Sequence, residues 1–223
     1  MNGKNKISII GAGNVGSLLA LRILEHDMAD VILLDIDENI SKGKACDLRD
    51  ASPIMGYEKS VEGTSDYSKI RDSHIVVVTA GFPRKSGMVR EELIRKNGFI
   101  VKQIAAKIKE FAPESIIIVV TNPLDVMSYL AYRVSGFDRR KVLGMAGALD
   151  SSRCSNIAAE ELGVMKSEVD CIVIGSHDKN MLPLFYHSKA QGRPLKKILS
   201  ETGQNRVLEK TKGRGAEIVA KSG

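Results

Sequence analysis

The stretch ISIIGAGNVG, from Ile7 to Gly16, decides the fold, because it joins an apolar run to a glycine-rich turn and then to a helical pattern. A buried strand, a tight turn and a helix in that order are typical of a dinucleotide-binding βαβ unit. The glycines permit the turn and the close approach of a pyrophosphate, which the N-terminus of the helix attracts. The predicted contacts to this ligand are Gly11, Ala12, Gly13, Asn14, Val15 and Gly16.

Short β-branched runs alternate with longer segments of helical period in the rest of the chain. The predicted strands are Ile7–Ile10, Val31–Leu34, Ile75–Thr79, Ile116–Val120, Lys141–Leu143 and Cys171–Ile174. The predicted helices are Val15–Glu25, Ile40–Ala51, Glu91–Phe111, Leu124–Val134 and Ser151–Leu162. Alternation of this kind predicts an α/β fold with a doubly wound parallel sheet of the Rossmann type, whose ligands bind at the carboxyl ends of the strands.

Asp35 ends the second predicted strand, where a carboxylate can accept hydrogen bonds from both ribose hydroxyls of an adenosine and repel a 2′-phosphate. No basic residue follows it directly, so we predict NAD as the cofactor in preference to NADP. The alternative is that Asp35 and Asp37 only cap the following helix. Thr79, Ala80 and Gly81 end another strand at the same edge and can border the cofactor, although an ordinary turn would look the same.

Two further stretches place polar side chains after predicted strands. The loop from Gly81 to Arg90 carries Arg84 and Arg90, and a guanidinium suits a carboxylate because it donates two parallel hydrogen bonds. Two solvated arginines on a loop are the alternative. In the stretch VTNP, Asn122 is either the N-cap of a helix that begins at Pro123 or a contact to substrate or nicotinamide ribose.

The third chemical stretch is a pair of segments, LDSSR with Asp150 and Arg153, and GSH with His177. Asp150 and Arg153 are three residues apart at the start of a predicted helix and share a face. Taken alone, Asp150 is expected to be an N-cap and His177 an ordinary histidine. Together they suggest an Asp–His pair, in which the carboxylate orients the imidazole and stabilises its charged form.

Composition excludes several other classes of function. Hydrophobic residues make up 43% and charged residues 27%, a mixture typical of a globular chain. The net charge of +6 is not accompanied by stacking aromatics on one basic element, so we expect no nucleic-acid partner. Three widely spaced cysteines without metal-ligand spacing predict no metal site and a reducing compartment. Since no signal peptide or membrane-spanning run is visible, we expect a cytoplasmic protein without a membrane partner.

The chain resembles the malate dehydrogenases of the lactate/malate dehydrogenase family from Ile7 to about Val219. The resemblance is carried, in the family's order, by the glycine motif, AGFPRKSGMVREEL, VVTNPLD, VLGMAGALDSSR and GSH…MLPL. The resemblance implies an NAD-dependent enzyme that interconverts malate and oxaloacetate. It also implies that Asp150 supports His177, which accepts the hydroxyl proton. The other implied contacts are Arg84, Arg90, Asn122 and Arg153 to substrate, and Asp35, Asn97, Val120, Thr121 and Asn122 to cofactor.

The resemblance further implies two domains, an NAD-binding domain in residues 1–146 and a substrate domain in residues 147–223. It also implies a homodimer or homotetramer.

The sequence departs from the family's pattern in two places. The family usually reads His-Gly-Asp-Thr where this chain has His177-Asp178-Lys179-Asn180, so we expect a strained or rebuilt turn. The family is also longer, so we expect an incomplete α+β substrate domain. Arg84 stands where lactate-type enzymes usually carry glutamine, and a cation there suits a dicarboxylate, so malate and oxaloacetate are the first hypothesis for the substrate. A lactate or other 2-hydroxyacid dehydrogenase is the second hypothesis. A non-catalytic NAD-binding module is the third.

Overall fold

The structure is a computed structural model that describes residues 5–83 and 89–222. Its residues form two compact units that divide between Gly144 and Met145. The predicted domain boundary after residue 146 lies close to this division and stays a prediction. The two units are treated separately below.

The first unit is built on a parallel sheet. Its strands within the described residues are β1 (Lys6–Ile10), β2 (Asp30–Leu34), β3 (Val61–Thr64), β4 (Ile75–Val78), β5 (Ile116–Val119) and β6 (Val142–Gly144). They pair in the order β3-β2-β1-β4-β5-β6. This is the strand order of the Rossmann fold, so the predicted fold class is confirmed. The strand order reverses between β1 and β4, which is where such sheets bind their ligands.

Helices of the first unit follow the predictions within a few residues, except that α2 is longer. They are α1 (Asn14–Glu25), α2 (Glu38–Met55), α3 (Arg90–Phe111) and α4 (Leu124–Ser135). Their apolar faces and the sheet form a core whose fully buried residues include Ile9, Leu24 and Leu33. Each such side chain contributes about 1.5–3 kcal/mol on burial.

Strand β3 was not predicted, and its composition explains why. Its sequence, VEGT, is short and contains Gly63, and glycine is a poor strand former. The structure shows what the glycine is for, since a Cβ there would lie 2.1 Å from the carbonyl oxygen of Ser41 in α2. Close packing of α2 on the sheet therefore requires glycine at position 63, and the same glycine lowers the strand propensity of the segment.

The second unit combines helices with small antiparallel sheets. Its elements are α5 (Gly147–Leu162), β7 (Val169–Asp170), β8 (Val173–Ile174), β9 (Leu182–Pro183), β10 (Lys189–Ala190), β11 (Arg193–Pro194), α6 (Leu195–Ile198) and α7 (Glu201–Ser222). Strands β11, β10 and β7 form one sheet, and β8 and β9 form another. The core of the unit includes Cys154, Ile157, Leu195 and Val207.

The single strand predicted for Cys171–Ile174 is wrong. β7 ends at Asp170, before the segment begins, and only Val173 and Ile174 of the segment form a strand, β8, which pairs with β9. Serine hydroxyls accept hydrogen bonds from three successive backbone N–H groups of the segment: Ser155 from Cys171 at 2.9 Å, Ser188 from Ile172 at 3.0 Å and Ser151 from Val173 at 3.0 Å. Side chains thus satisfy donors that a strand neighbour would otherwise satisfy.

Helix α7 was also not predicted, since residues after Gln191 are polar, basic and rich in glycine. Tertiary packing outweighs this composition, because Val207 and Thr211 are buried. Among the residues that the structure describes, no helix is both long and apolar enough to cross a membrane.

Candidate active site

The carboxyl ends of the central strands bring the predicted cofactor residues to one edge of the first unit. Ile10 of β1 pairs in register with Leu34 of β2 and with Val78 of β4, and Val78 pairs with Val119 of β5. The residue that follows each of these strand ends is therefore at the same level. Those four residues are Gly11, Asp35, Thr79 and Val120.

The turn after β1 depends on two glycines that pack against protein. Gly11 has φ of +112°, a conformation that residues with a side chain rarely adopt, and a Cβ there would lie 2.6 Å from the amide nitrogen of Ala80. Gly16 lies in the first turn of α1, and its Cβ would lie 1.8 Å from the carbonyl oxygen of Gly11. These two positions let the helix start directly above the strand.

Gly13 differs from its neighbours because nothing in the described protein lies within 4 Å of the position that its Cβ would take. It precedes α1, whose first turn contains no acidic residue and receives no side-chain cap. The first N–H groups of a helix have no partners inside the helix, so this end of α1 offers donors and a partial positive charge. The open space and the donors fit a pyrophosphate that approaches the backbone closely.

Asp35 is tied to the glycine turn. Its Oδ2 accepts a hydrogen bond of 2.7 Å from the amide nitrogen of Ala12, and its Oδ1 accepts one of 3.1 Å from the amide nitrogen of Asp37. The alternative capping role belongs to Asp37, whose carboxylate accepts from Asn39 and Ile40 at the start of α2. Ile36 follows Asp35 with 97% of its surface exposed, and sequence reasoning did not single it out. The sequence feature that could have indicated Ile36 is an apolar residue directly after the acid Asp35.

A second group of loops is joined by the buried side chain of Asn97. Its Oδ1 accepts from the amide nitrogen of Phe82 at 2.7 Å, and its Nδ2 donates to the carbonyl oxygen of Asn122 at 2.6 Å. Its side chain therefore fastens the loop after β4 to the loop after β5. Direct contact between Asn97 and a cofactor stays a prediction.

The loop after β5 is held by the hydroxyl of Thr121, which donates to the carbonyl oxygen of Ala80 at 2.8 Å. Similarly, the Thr79 hydroxyl donates to the carbonyl oxygen of Gly11 at 2.9 Å. Helix α4 begins at Leu124 with Pro123 as its N-cap and no side-chain cap, so the predicted N-cap role of Asn122 is wrong. Asn122 is exposed, which leaves its amide available to a ligand.

Two predicted substrate contacts cannot be placed. Arg84 lies outside the described residues, and of Arg90 the structure describes only its position as the first residue of α3.

The second unit holds the predicted Asp–His pair. Nδ1 of His177 lies 2.8 Å from Oδ2 of Asp150. Asp150 is 2% exposed and belongs to the first turn of α5, which begins at Gly147 with Ala146 as its N-cap. The expected N-cap role of Asp150 taken alone is therefore wrong. A carboxylate only accepts hydrogen bonds, so it selects the tautomer in which Nδ1 carries the proton and Nε2 keeps a lone pair.

Arg153 lies on the same face of α5, as the spacing predicted. Its guanidinium nitrogen is 3.6 Å from Oδ1 of Asp150, an ion pair too long for a hydrogen bond. Oδ1 accepts no hydrogen bond within the part of the chain that the structure describes. A cation, a buried carboxylate and an imidazole therefore lie side by side in the second unit. This arrangement can bind an anion and accept a proton.

The turn that contains His177 carries no strain at Asp178, which is absent from the positive-φ residues of the described chain. The left-handed conformation lies at Gly175, with φ of +96°. Sequence reasoning noted the departure at Asp178 and did not see its hydrogen bonds. The spacing of Ser176, Asp178 and Asn180 was the available signal, because aspartate often bonds to the backbone two residues further on.

The sheet, the glycine turn and the Asp–His pair together describe a dinucleotide-dependent dehydrogenase architecture. Residues 5–144 match the family model described as lactate/malate dehydrogenase, NAD binding domain, and residues 147–223 match its alpha/beta C-terminal domain. The chain belongs to the lactate/malate dehydrogenase family. The predicted family and the predicted NAD-binding domain are thereby confirmed.

Individual relatives agree with this assignment. A malate dehydrogenase of Staphylococcus epidermidis is 44% identical over 222 residues, which cover 99% of this chain and 71% of the relative. The crystal structure of a Cryptosporidium parvum malate dehydrogenase matches with a TM-score of 0.94 and 37% identity over 98% of this chain and 71% of that one. A lactate dehydrogenase of the same organism, complexed with lactic acid and nicotinamide adenine dinucleotide, matches with a TM-score of 0.94 and 34% identity over 99% and 71%.

Proposed function

We propose that this chain carries the machinery of an NAD-dependent malate dehydrogenase, which interconverts (S)-malate and oxaloacetate. The observation that carries the proposal is the 2.8 Å contact between Asp150 and His177, with Arg153 beside it, in a chain that belongs to the lactate/malate dehydrogenase family. The relatives named malate dehydrogenase support the substrate assignment.

His177 is proposed to take the proton of the substrate hydroxyl at Nε2. Asp150 keeps the other ring nitrogen protonated and stabilises the positive charge that the imidazole gains. Because Asp150 is buried, its negative charge is little screened by water and acts strongly on the neighbouring ring. Bound NAD would supply the acceptor for the hydride that leaves the carbon bearing that hydroxyl, which becomes the carbonyl carbon of oxaloacetate.

Arg153 is proposed to bind the substrate carboxylate that adjoins the reacting carbon. A guanidinium can donate two parallel hydrogen bonds to a carboxylate, which fixes both the position and the orientation of the acid. Its ion pair with Asp150 holds the guanidinium near the imidazole. Three further substrate contacts are proposed from the family resemblance. Arg84 would bind the distal carboxylate, Arg90 would bind the C2 oxygen, and the side-chain amide of Asn122 would contact the substrate.

The cofactor is proposed to lie along the carboxyl edge of the first unit. Asp35 would accept the adenosine ribose hydroxyls, the turn from Gly11 to Gly16 would receive the pyrophosphate, and the exposed Ile36 offers an apolar surface to the adenine ring. The remaining contacts are proposed for Thr79, Ala80, Gly81, Asn97, Val120, Thr121 and Asn122.

Two other functions have specific support. A lactate dehydrogenase is one of the structural neighbours, which favours a 2-hydroxyacid such as lactate as the alternative substrate. A binding module without catalysis is favoured by the apolar side chains that the second unit leaves exposed, Ile172, Ile174, Leu182 and Tyr186.

The deciding experiment measures NADH binding by fluorescence and NADH oxidation with oxaloacetate and with pyruvate on the same purified chain. Preference for oxaloacetate supports the proposal, and preference for pyruvate supports the lactate alternative. Binding without turnover supports the non-catalytic alternative. In the active protein Asp150→Asn should lower kcat at least a hundredfold with unchanged NADH affinity.

Substrate selection is tested by Arg84→Gln, which should move kcat/KM toward pyruvate by about 1.5–3 kcal/mol, the usual value of a hydrogen bond to a charged group. Arg95→Gln is the matched control, since Arg95 is an exposed arginine on α3. Equal discrimination by parent and Arg84→Gln would remove Arg84 from the role of selector.

Assembly and compartment are proposals as well. A homodimer or homotetramer is supported by large apolar side chains exposed at the end of α2, Ile54 and Met55. Sedimentation analysis of the parent and of Ile54→Asp would test it. Free cysteines at Cys46, Cys154 and Cys171 fit a reducing compartment such as the cytoplasm.

A further inference from the structure

The turn after β8 is closed by the carboxylate of Asp178. Its Oδ1 accepts two hydrogen bonds of 2.8 Å, one from the hydroxyl of Ser176 and one from the amide nitrogen of Asn180. The backbone of the same residue donates to the carbonyl oxygen of Ser176 at 2.8 Å and accepts from the amide nitrogen of Met181 at 3.1 Å. One residue thus joins both sides of the turn through its side chain and its backbone.

This turn is anchored on both sides. On one side Gly175 approaches the far side of the turn so closely that a Cβ there would lie 3.0 Å from the carbonyl oxygen of Asn180. On the other side Met181 is buried in the core of the second unit. His177 lies between Ser176 and Asp178, so the bonds of Asp178 fix the backbone on which the imidazole stands.

The imidazole ring of His177 contacts the carboxylate of Asp150, and the turn determines the position of the His177 backbone. A hydrogen bond of 2.8 Å tolerates small displacements only, because hydrogen bonds weaken steeply with distance and angle. Catalytic groups also lose large factors in rate when they are misplaced by about 1 Å. The turn therefore has to hold the backbone of His177 well enough for the ring to meet Asp150.

We infer that Asp178 is a positioning residue for His177, because its carboxylate fixes the Ser176–Asn180 turn from which the imidazole reaches Asp150. This role rests on the proposed function for its catalytic consequence. The underlying geometry can be tested without turnover. Both bonds at Oδ1 come from neutral donors, so an uncharged acceptor oxygen at this position can accept the same two hydrogen bonds.

The test is heteronuclear NMR of the histidine rings in the intact chain, with the His177 signals assigned by their loss in His177→Asn. Asp178→Ala should shift or broaden the ring ¹⁵N signals of His177, because both bonds at Oδ1 are lost. Asp178→Asn keeps a carbonyl oxygen at that position and should restore the parent signals. Lys179→Ala is the control, since Lys179 is exposed and adjacent to the same turn.

Outcomes separate this role from general loss of structure. If Asp178→Ala does not fold by circular dichroism, Ser176→Ala removes one donor and should shift the same signals by a smaller amount. Unchanged His177 signals in Asp178→Ala overturn the inference, as does an Asp178→Asn spectrum displaced as far as that of Asp178→Ala. In active protein, kcat should fall at least tenfold in Asp178→Ala, with Asp178→Asn close to the parent. An inactive parent with the predicted NMR shifts would contradict the proposed function only.

Discussion

Oδ2 of Asp35 accepts a hydrogen bond of 2.7 Å from the amide nitrogen of Ala12, so the acid at the end of β2 holds the glycine turn at the end of β1. The two residues are far apart in sequence and meet because β1 and β2 are paired in register. Asp35 is proposed to bind the adenosine ribose, and it would thus shape the pyrophosphate site at the same time. Changes at Asp35 should affect both parts of the cofactor site.

Replacement of Asp35 should therefore do more than relax cofactor choice. Asp35→Asn keeps an acceptor for Ala12 and removes the charge, so we expect weaker discrimination against NADPH with a largely intact turn. Asp35→Ala removes both, and NADH binding should weaken further, by a factor of about ten for one hydrogen bond to a charged group. Fluorescence titration with NADH and NADPH measures both effects.

Asp37→Ala is the control for these variants. Its carboxylate caps α2, so its loss should lower the free energy of unfolding by about 1 kcal/mol and leave the NADH-to-NADPH ratio unchanged. If Asp37→Ala changes that ratio as much as Asp35→Ala does, the ribose role of Asp35 is contradicted.

Gly13 allows binding to be separated from folding. Its Cβ would meet no atom of the described protein, and a methyl group there would occupy the space proposed for the pyrophosphate. Gly13→Ala should keep the parent melting temperature and lose NADH affinity at least tenfold. Gly43→Ala in α2, which also meets no protein atom, should keep the affinity and raise stability by about 0.5–1 kcal/mol. Full NADH affinity in Gly13→Ala would place the pyrophosphate elsewhere.

Sequence reasoning predicted the central sheet well because its strands are buried on both faces. A continuous apolar run such as Ile75–Thr79 predicts a buried strand without any knowledge of the neighbouring strands. It missed Val61–Thr64 and Glu201–Ser222 because these segments are rich in glycine and polar residues, which do not indicate a strand or a helix. Tertiary packing determines both elements, and a local sequence pattern does not show it. Gly63 is explained by the nearby backbone of Ser41, which no local pattern reveals.

The candidate site was predictable to the level of residue types. The proximity of Asp150 and His177 was inferred from two separated motifs, and the structure places them at 2.8 Å. The N-cap roles considered for Asn122 and Asp150 were wrong, because the N-caps of α4 and α5 are Pro123 and Ala146. The hydrogen bonds of Asn97 and Asp178 depend on loop conformation, which the spacing of residues leaves undetermined.

The buried thiol of Cys154 should make stability fall at alkaline pH. Hydrogen bonding to Cys171, followed by burial, raises the pKa of Cys154, and the same hydrogen bond lowers the pKa of Cys171, so the pair gives up its first proton from Cys171 and keeps the second on Cys154. The folded protein then holds a proton that the unfolded chain releases above about pH 8.5, so this contribution to stability is complete below that pH and is lost as the pH rises. Urea unfolding at a series of pH values should show the slope.

Cys154→Ala should flatten this alkaline slope at a cost of about 1 kcal/mol for the buried atom removed. Cys46→Ala is the control, since Cys46 is exposed, and it should keep the parent slope. An unchanged slope in Cys154→Ala would assign the alkaline loss of stability to another group.

Helix α7 should influence substrate binding through Gly215. A Cβ at Gly215 would lie 3.7 Å from a guanidinium nitrogen of Arg153, an ordinary contact that a larger side chain would turn into a close one. Gly215→Leu should therefore displace Arg153 and weaken binding of the substrate carboxylate, while the NADH site in the first unit is unchanged. We expect KM for oxaloacetate to rise at least tenfold with little change in NADH affinity.

Gly213→Leu is a matched control on the same helix, because no protein atom lies within 4 Å of the Cβ position at Gly213. Both substitutions replace glycine within a helix by a good helix former, so both should raise helix propensity by a similar amount. Only Gly215→Leu presses on Arg153, so only it should raise KM. Equal KM values in the two variants would show that Arg153 is not the carboxylate ligand, or that α7 does not confine it. Arg153→Lys separates these cases, because it should raise KM only if Arg153 binds the carboxylate through its two-pronged geometry.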